Sequence, residues 1–205
     1  MADPVSLINS ALLLLGESDL IANVTDIKSA PPVVRGANHF LPLIQRELLS
    51  RHPWRFAMKL IELNLLLEPP PLDTFNKQYE LPVDMLTLWR FHPDLGRNYK
   101  IYGTRVFTIE VPPLIAEYVF DIGEKFYPTY FETLVYTALA AEIAMMVTQK
   151  PGVTQLWKRE ASILLTVARN EDSQQSPSDI IRDQPILQAH FAGGRSLLRG
   201  GLFGR

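Results

Sequence analysis

The chain has 205 residues, 47% of them hydrophobic, with a net charge of −2 and no cysteine. That length can bury one good core, so one domain, or one domain with an appendage, is expected. The charge argues against nucleic-acid binding through the surface at large, which needs a clustered positive field, and the missing cysteines exclude disulfides and thiolate metal sites while suiting an intracellular origin.

Asp3-Pro4 reads as an N-cap with proline in the first turn, which predicts a helix ending at Gly16 with an inward stripe of Val5, Ile8, Leu12 and Leu15. The apolar run 11–15 is not a signal sequence, because Asp3 stands where a positive segment is required. After a loop to Ala30, Pro31-Pro32 open a second helix that ends near Arg51. Its stripe is Phe40, Leu43, Ile44, Leu48 and Leu49. Pro53 stops it and biases His52 away from helical geometry. Trp54 is expected as a buried anchor there, and apolar alternation at Phe56, Met58 and Leu60, then Leu63 and Leu65, predicts a strand within about four residues.

Residues 55–122 combine proline clusters (Pro69-Pro70-Pro71, Pro112-Pro113) with short aromatic and β-branched stretches. Strands are expected at Tyr79–Leu81, Leu86–Phe91, Tyr99–Tyr102, Arg105–Glu110 and Ile115–Phe120, with a tight hairpin at Gly103, together forming one small antiparallel sheet. A third helix runs from about Pro128 to Thr148. Its apolar run 134–147 contains Glu142 and falls short of the roughly 20 residues a membrane span needs, so a soluble core helix is expected. Pro151-Gly152 break it from a fourth helix, Val153 to Asn170, striped at Val153, Leu156, Trp157, Leu164, Val167 and Ala168. The fold expected is α+β, mainly α: a four-helix bundle (1–54 and 123–171, discontinuous) with the β region 55–122 inserted between helices two and three. A linker and extended C-terminal arm (172–205) complete it.

Residues 172–179 are linker-like, and beyond Pro185 the chain carries Arg195, Arg199 and Arg205 but no acid. Gly193, Gly194, Gly200, Gly201 and Gly204 alternate with Phe191, Leu197, Leu198, Leu202 and Phe203, a segment too glycine-rich to order itself yet apolar enough to dock on a partner. Three arginines release few counterions, so docking in a protein groove is favoured over contact with DNA phosphates. His39, His52, His92 and His190 are scattered without metal-ligand spacing, and Asp94, Asp121 and Glu124 lie in turn-like sequence. No catalytic, cofactor or metal residue is expected. Trp54, Trp89 and Trp157 read as core anchors, with Trp89, next to Arg90 and Phe91, alternatively an exposed interface contact.

Four stretches carry a resemblance. Leu-Leu-Ser-Arg-His-Pro-Trp-Arg-Phe-Ala (48–57) is similar to a junction in the tail tubular protein A, or head-to-tail adaptor, family of short-tailed bacteriophages. Ile8-Asn9-Ser10-Ala11-Leu12 with Leu15-Gly16-Glu17, Ile21, Val24 and Asp26 resembles that family's opening helix and loop. Tyr79-Glu80-Leu81-Pro82-Val83-Asp84-Met85-Leu86 resembles its strand and turn, and Phe131 to Leu134 with Leu139 to Ala144 its alanine-rich helix. The series covers about residues 5–170 in order, departing at 124–128 and after 172. The resemblance implies a structural virion protein at the head–tail junction, made in the host cytoplasm and without catalysis. It implies a ring of twelve copies between portal protein and tail nozzle protein, through which encapsidated DNA passes without sequence-specific binding and with no membrane partner. Phe191, Arg195, Leu197, Leu198, Arg199, Leu202, Phe203 and Arg205 are the expected portal contacts. The competing expectations are a small soluble enzyme with a cleft beside the β region, and a helical protein-binding module.

Overall fold

Asp3 starts the first helix as its side chain predicts. In the computed structural model, which describes residues 3–18, 20–21, 31–71, 74–96 and 98–175, its carboxylate accepts the Ser6 N–H at 2.6 Å and its own N–H donates to Ser6 Oγ at 3.1 Å, closing a capping box. Helix α1 (Pro4–Leu14) ends in a Schellman turn: Gly16 has φ +83, Gly16 N–H donates to the Leu13 carbonyl and Glu17 N–H to that of Leu12. Asn9 holds the returning chain through both backbone groups of Ile21, at 2.9 and 3.0 Å. The expected loop positions Val24 and Asp26 lie outside the described residues, as do His190 and the arm from 176 onward.

The remaining elements are α2 (Pro32–Ser50), β1 (Met58–Glu62), β2 (Asn64–Leu65), β3 (Lys77–Glu80), β4 (Met85–His92), β5 (Tyr99–Tyr102), β6 (Arg105–Thr108), β7 (Ile115–Phe120), α3 (Thr129–Thr148) and α4 (Pro151–Gln174). Among the described residues the chain is thus mixed α+β, with four helices and two antiparallel sheets. By its contacts it divides into two units, Met1–Ser173 and Gln174–Arg205, and both sheets and the helical core belong to the first.

Two helical stripes sit one step round from expectation. In α1 the buried residues are Leu7, Ile8, Ala11 and Leu12, with Val5 and Leu15 half-buried. In α2 they are Val34, Ala37, Leu41, Ile44, Gln45, Leu48 and Leu49, and Leu43 is 54% exposed. Helix α3 ends at Gln149, in left-handed geometry (φ 54), so the turn precedes Pro151, which opens α4. By length and apolarity α3 could cross a bilayer, but half of that window is buried within the protein, in the core shared with α1 and α2; burial, not shortness, marks it as a core helix.

Helix α4 departs most from its expected face. Leu156 and Val167 are exposed, and the side turned to the core carries Leu164, Leu165, Ala168 and, one turn further, Asp172. The helix therefore continues four residues past Asn170, into the stretch that reads as linker.

The single expected sheet is two. One has the order β1-β7-β4 and the other β2-β3-β6-β5, the chain crossing between them after Leu63, whose N–H donates to the Leu114 carbonyl at 2.8 Å. The β5–β6 hairpin turns at Gly103-Thr104 with positive φ only at Gly103 (+59), as a type II′ turn requires. Strand β6 ends at Thr108 instead of Glu110.

Strand β7 belongs to two cores. Ala116 and Tyr118 face a core between the sheets with Tyr79, Phe91, Val106 and Leu114, whereas Val119 joins the helical core. Asp84 ties the strands at one corner, accepting from Lys59 Nζ at 2.6 Å and from the Tyr118 hydroxyl at 2.9 Å. Between helices and sheets sits an aromatic wedge. Trp54 is fully buried, donates Nε1–H to the Leu48 carbonyl at 2.8 Å, and meets Phe131 edge-on at 4.9 Å; Phe56 and Tyr127 close on the same ring at 4.9 and 4.8 Å.

Candidate functional site

Strand β4 does not run straight. Thr87 and Leu88 pair with Val119 and Tyr118, but Arg90 is the residue that pairs with Glu117, so Trp89 is an extra residue in a bulge. Its indole is 53% exposed, which corrects the core reading of Trp89 in favour of the surface one. Phe91, beyond the bulge, is buried between the sheets. Trp54 is buried as expected, while Trp157 is only half-buried.

The bulge lies on the side of the β1-β7-β4 sheet turned away from the second sheet. There Glu117 accepts from Arg90 Nε and stands 3.2 Å from His92 Nε2. Burial alone would raise its carboxyl, but the bonds and charges of Arg90 and His92 together hold it below the ordinary carboxylate value.

Beside it ends α4. Asp172 is 1% exposed and its two oxygens take the Arg55 N–H at 3.1 and 3.2 Å, the Tyr130 hydroxyl at 2.7 Å and a contact from His52 Nε2 at 3.4 Å. One turn earlier Arg169 donates to the Arg51 carbonyl at 2.8 Å, so two residues stitch α4 to the end of α2 and to the connection between α2 and β1. Burial pushes the His52 imidazole below its ordinary value; Asp172 opposes this, and Arg169 and Arg55 add to it. A cleft of about 280 Å³ opens at this corner, lined by His52, Arg55, Met58, Trp89, Arg90, Glu117 and Asp172 among others. A second hollow, about 180 Å³, lies between α2, α3 and α4 with Ile44, Leu134 and Leu165 on its floor and the Lys158–Glu142 pair (3.3 Å) at its rim.

The two carboxylates of the cleft are held in structural bonds, Asp172 by backbone and hydroxyl donors and Glu117 by Arg90 and His92. What the cleft offers outward is an indole and the guanidinium of Arg55, for which the described residues supply no carboxylate partner. Such a surface suits recognition of a partner more than proton transfer.

The other sequence-level candidates have local roles. Asp94 accepts the Gly96 N–H at 2.9 Å within its own turn, Asp121 pairs with Arg46 at 3.1 Å, and Glu124 accepts from Gln45 Nε2 at 3.1 Å. His39 is exposed beside Phe40. Among the described residues no three His, Asp or Glu stand together as metal ligands would. The eight expected portal contacts, Phe191, Arg195, Leu197, Leu198, Arg199, Leu202, Phe203 and Arg205, lie outside the described residues. Asp172 is the residue that sequence reasoning missed. Its signal was present: it continues the spacing Leu164/Leu165, Ala168, Asp172 on one helical face. No known family model and no curated protein matches the chain.

Proposed function

We propose that the protein is a structural virion component, a head-to-tail adaptor of the short-tailed bacteriophage type, in which copies of the chain form a ring between portal and tail nozzle around the DNA channel. The observation that carries this reading is the position of the four resembling stretches. Each coincides with a joint of the fold: Asn9 pinning Ile21, Trp54 wedged against Phe131, the Tyr79–Leu86 corner with Asp84 between β1 and β7, and alanine-rich α3 at the centre of the helical core. Large apolar side chains left in water on the β region, among them Leu60, Leu67, Val83 and Trp89, add to it, since such groups mark contact surfaces when they gather.

In this reading α4 is the fourth member of a discontinuous helical bundle, residues 55–122 are an insertion, and the arm beyond the helix reaches the portal through its apolar and arginine side chains. The ring number is twelve, DNA passes without sequence-specific contact, and the protein acts at the head–tail junction without catalysis, cofactor or metal. Light scattering on the isolated protein, with and without portal rings, tests it. A monomer or weak oligomer alone and a multi-copy collar on the portal are expected, because neighbours and portal share each subunit's contacts. A stable closed ring without portal contradicts the assembly order, and no binding to portal contradicts the reading itself. Removing residues 180–205 is expected to abolish portal attachment while leaving any DNA gel shift unchanged.

The enzyme alternative draws on one observation, the His52–Asp172 pair at the cleft. Asp172 is saturated with backbone and hydroxyl donors there, which favours the stitching role.

A further inference from the structure

Leu67 is 99% exposed, and with Glu68 and Pro69 it forms an outward-facing peg ahead of Pro70-Pro71. The peg is fixed on the inside: Leu66 N–H donates to the Gln78 carbonyl at 2.9 Å, and buried Gln78 Nε2 donates to the Glu68 carbonyl at 2.7 Å. Three successive prolines, Pro69 of the peg and Pro70-Pro71 after it, hold φ near the polyproline value, so its shape needs little ordering on binding. An exposed leucine on a stiff, anchored, acidic segment has no use in the monomer's own packing.

We infer that the Leu67–Pro69 peg of one copy seats in the Trp89 cleft of the next, as the repeating contact of the ring. The fit is chemical on three counts. Extended proline segments dock on exposed aromatic plates, and Trp89 is held out by its bulge as such a plate. Glu68 carries the opposite charge to Arg55, and its present partner Arg105, at 3.4 Å in an exposed pair, holds it weakly. The cleft's volume of about 280 Å³ falls at the lower edge of the about 300–1,000 Å³ typical of small-molecule sites, and suits one or two anchoring side chains.

Position completes the fit. The cleft opens on the face of the β1-β7-β4 sheet turned from the second sheet, whereas the peg follows β2 at that second sheet's edge, so a copy cannot fill its own cleft. Two different surfaces meeting head to tail give a heterologous contact, which repeats until it closes a ring or runs on as a filament. The inference rests on the ring reading and names its contact.

Charge exchange tests it. Arg55→Glu alone and Glu68→Arg alone each put like charges at every contact. Mixing the two variants, or combining both changes in one chain, restores opposite charges throughout. In sedimentation velocity over a concentration series, and on portal rings, each single variant is expected to associate about tenfold more weakly or worse. The equimolar mixture is expected to return to wild-type behaviour. Glu160→Arg, an exposed change on α4, serves as the charge control and is expected to have no effect, and thermal unfolding checks that all variants are folded. Single variants that assemble as wild type does place the contact elsewhere and overturn this inference while leaving the ring intact. Wild type that associates neither alone nor on the portal overturns the ring reading, and the peg contact with it.

Discussion

Trp54 and Trp89 lie in the same unit of the chain and have opposite lives. Trp54 is sealed, with its N–H satisfied by the Leu48 carbonyl and its ring against Phe131. Trp89 stands half in water on a bulge, beside an arginine already engaged by Glu117. The first lies where apolar packing decides the free energy; the second lies where polar bonds hold the backbone in place and leave the side chain to face outward. A residue type that anchors a core in one place is therefore surface chemistry in another part of the same fold, and backbone geometry makes the difference.

The largest effect expected on that comparison is from Trp54→Ala. It removes the ring at the centre of the wedge and takes the indole donor from the Leu48 carbonyl, which keeps only the Arg51 N–H at 3.2 Å, and should cost about 3–5 kcal/mol in urea unfolding. A variant as stable as wild type would mean the helical core and the sheets are joined by something other than this wedge.

Asp172→Ala comes next. It removes the acceptor of the Arg55 N–H and one hydrogen bond of the Tyr130 hydroxyl together, for about 2–3 kcal/mol, and frees the end of α4. Asp172→Asn keeps an acceptor oxygen for one of them and should fall between. Hydrogen exchange resolves the two regions: protection is expected to drop along residues 165–174 and to persist in α1–α3. Uniform loss would show that α4 is as integral to the core as the other three helices.

Acid probes the same corner. His52 has its folded value lowered by burial, so the unfolded chain takes up the proton more readily and stability declines as pH falls below the ordinary 6.5. Glu117, also held low, contributes stability present above the ordinary 4.5 and lost as pH falls through its folded value. Both act in one direction, so the urea midpoint should be level near neutrality and decline in two stages. His52→Gln should remove the first stage and leave the second. A midpoint that rises on going below pH 6.5 would mean His52 gains more from Asp172 than burial takes away.

The features legible in the chain come from local chemistry. Pro53 stops a helix whatever surrounds it, Gly103 permits the turn between β5 and β6, and β5 and β7 begin and end where the aromatic and β-branched runs do. The features that escape depend on partners distant in sequence. An acid in the last turn of a helix opposes the helix dipole, so Asp172 reads as linker until its partners His52 and Arg55 from the α2–β1 connection and Tyr130 from α3 are seen around it. Leu43 falls within reach of an apolar stripe by spacing alone, yet α1 and α3 approach α2 from the side of Val34, Ala37 and Leu41. The crossing from one sheet to the other at Leu63 has no sequence mark that period-two alternation detects.

Trp89→Ala gives the smallest expected effect on stability and bears most directly on the comparison. Under strict alternation Trp89 and Phe91 share a face, and Trp89 would be buried between the sheets like Phe91. The bulge adds one residue between Leu88 and Arg90, so Leu88 and Phe91, three apart, face inward while Trp89 does not. Removing the indole should therefore cost under about 1 kcal/mol in urea unfolding, against several for Trp54, and should leave the α1–α3 protection pattern unchanged. The same variant should weaken self-association, because the plate for the neighbouring proline is gone. A cost matching that of Trp54→Ala would place Trp89 in the core after all. A variant that is both stable and fully competent in assembly would leave the exposed indole without a role in the contact assigned to it.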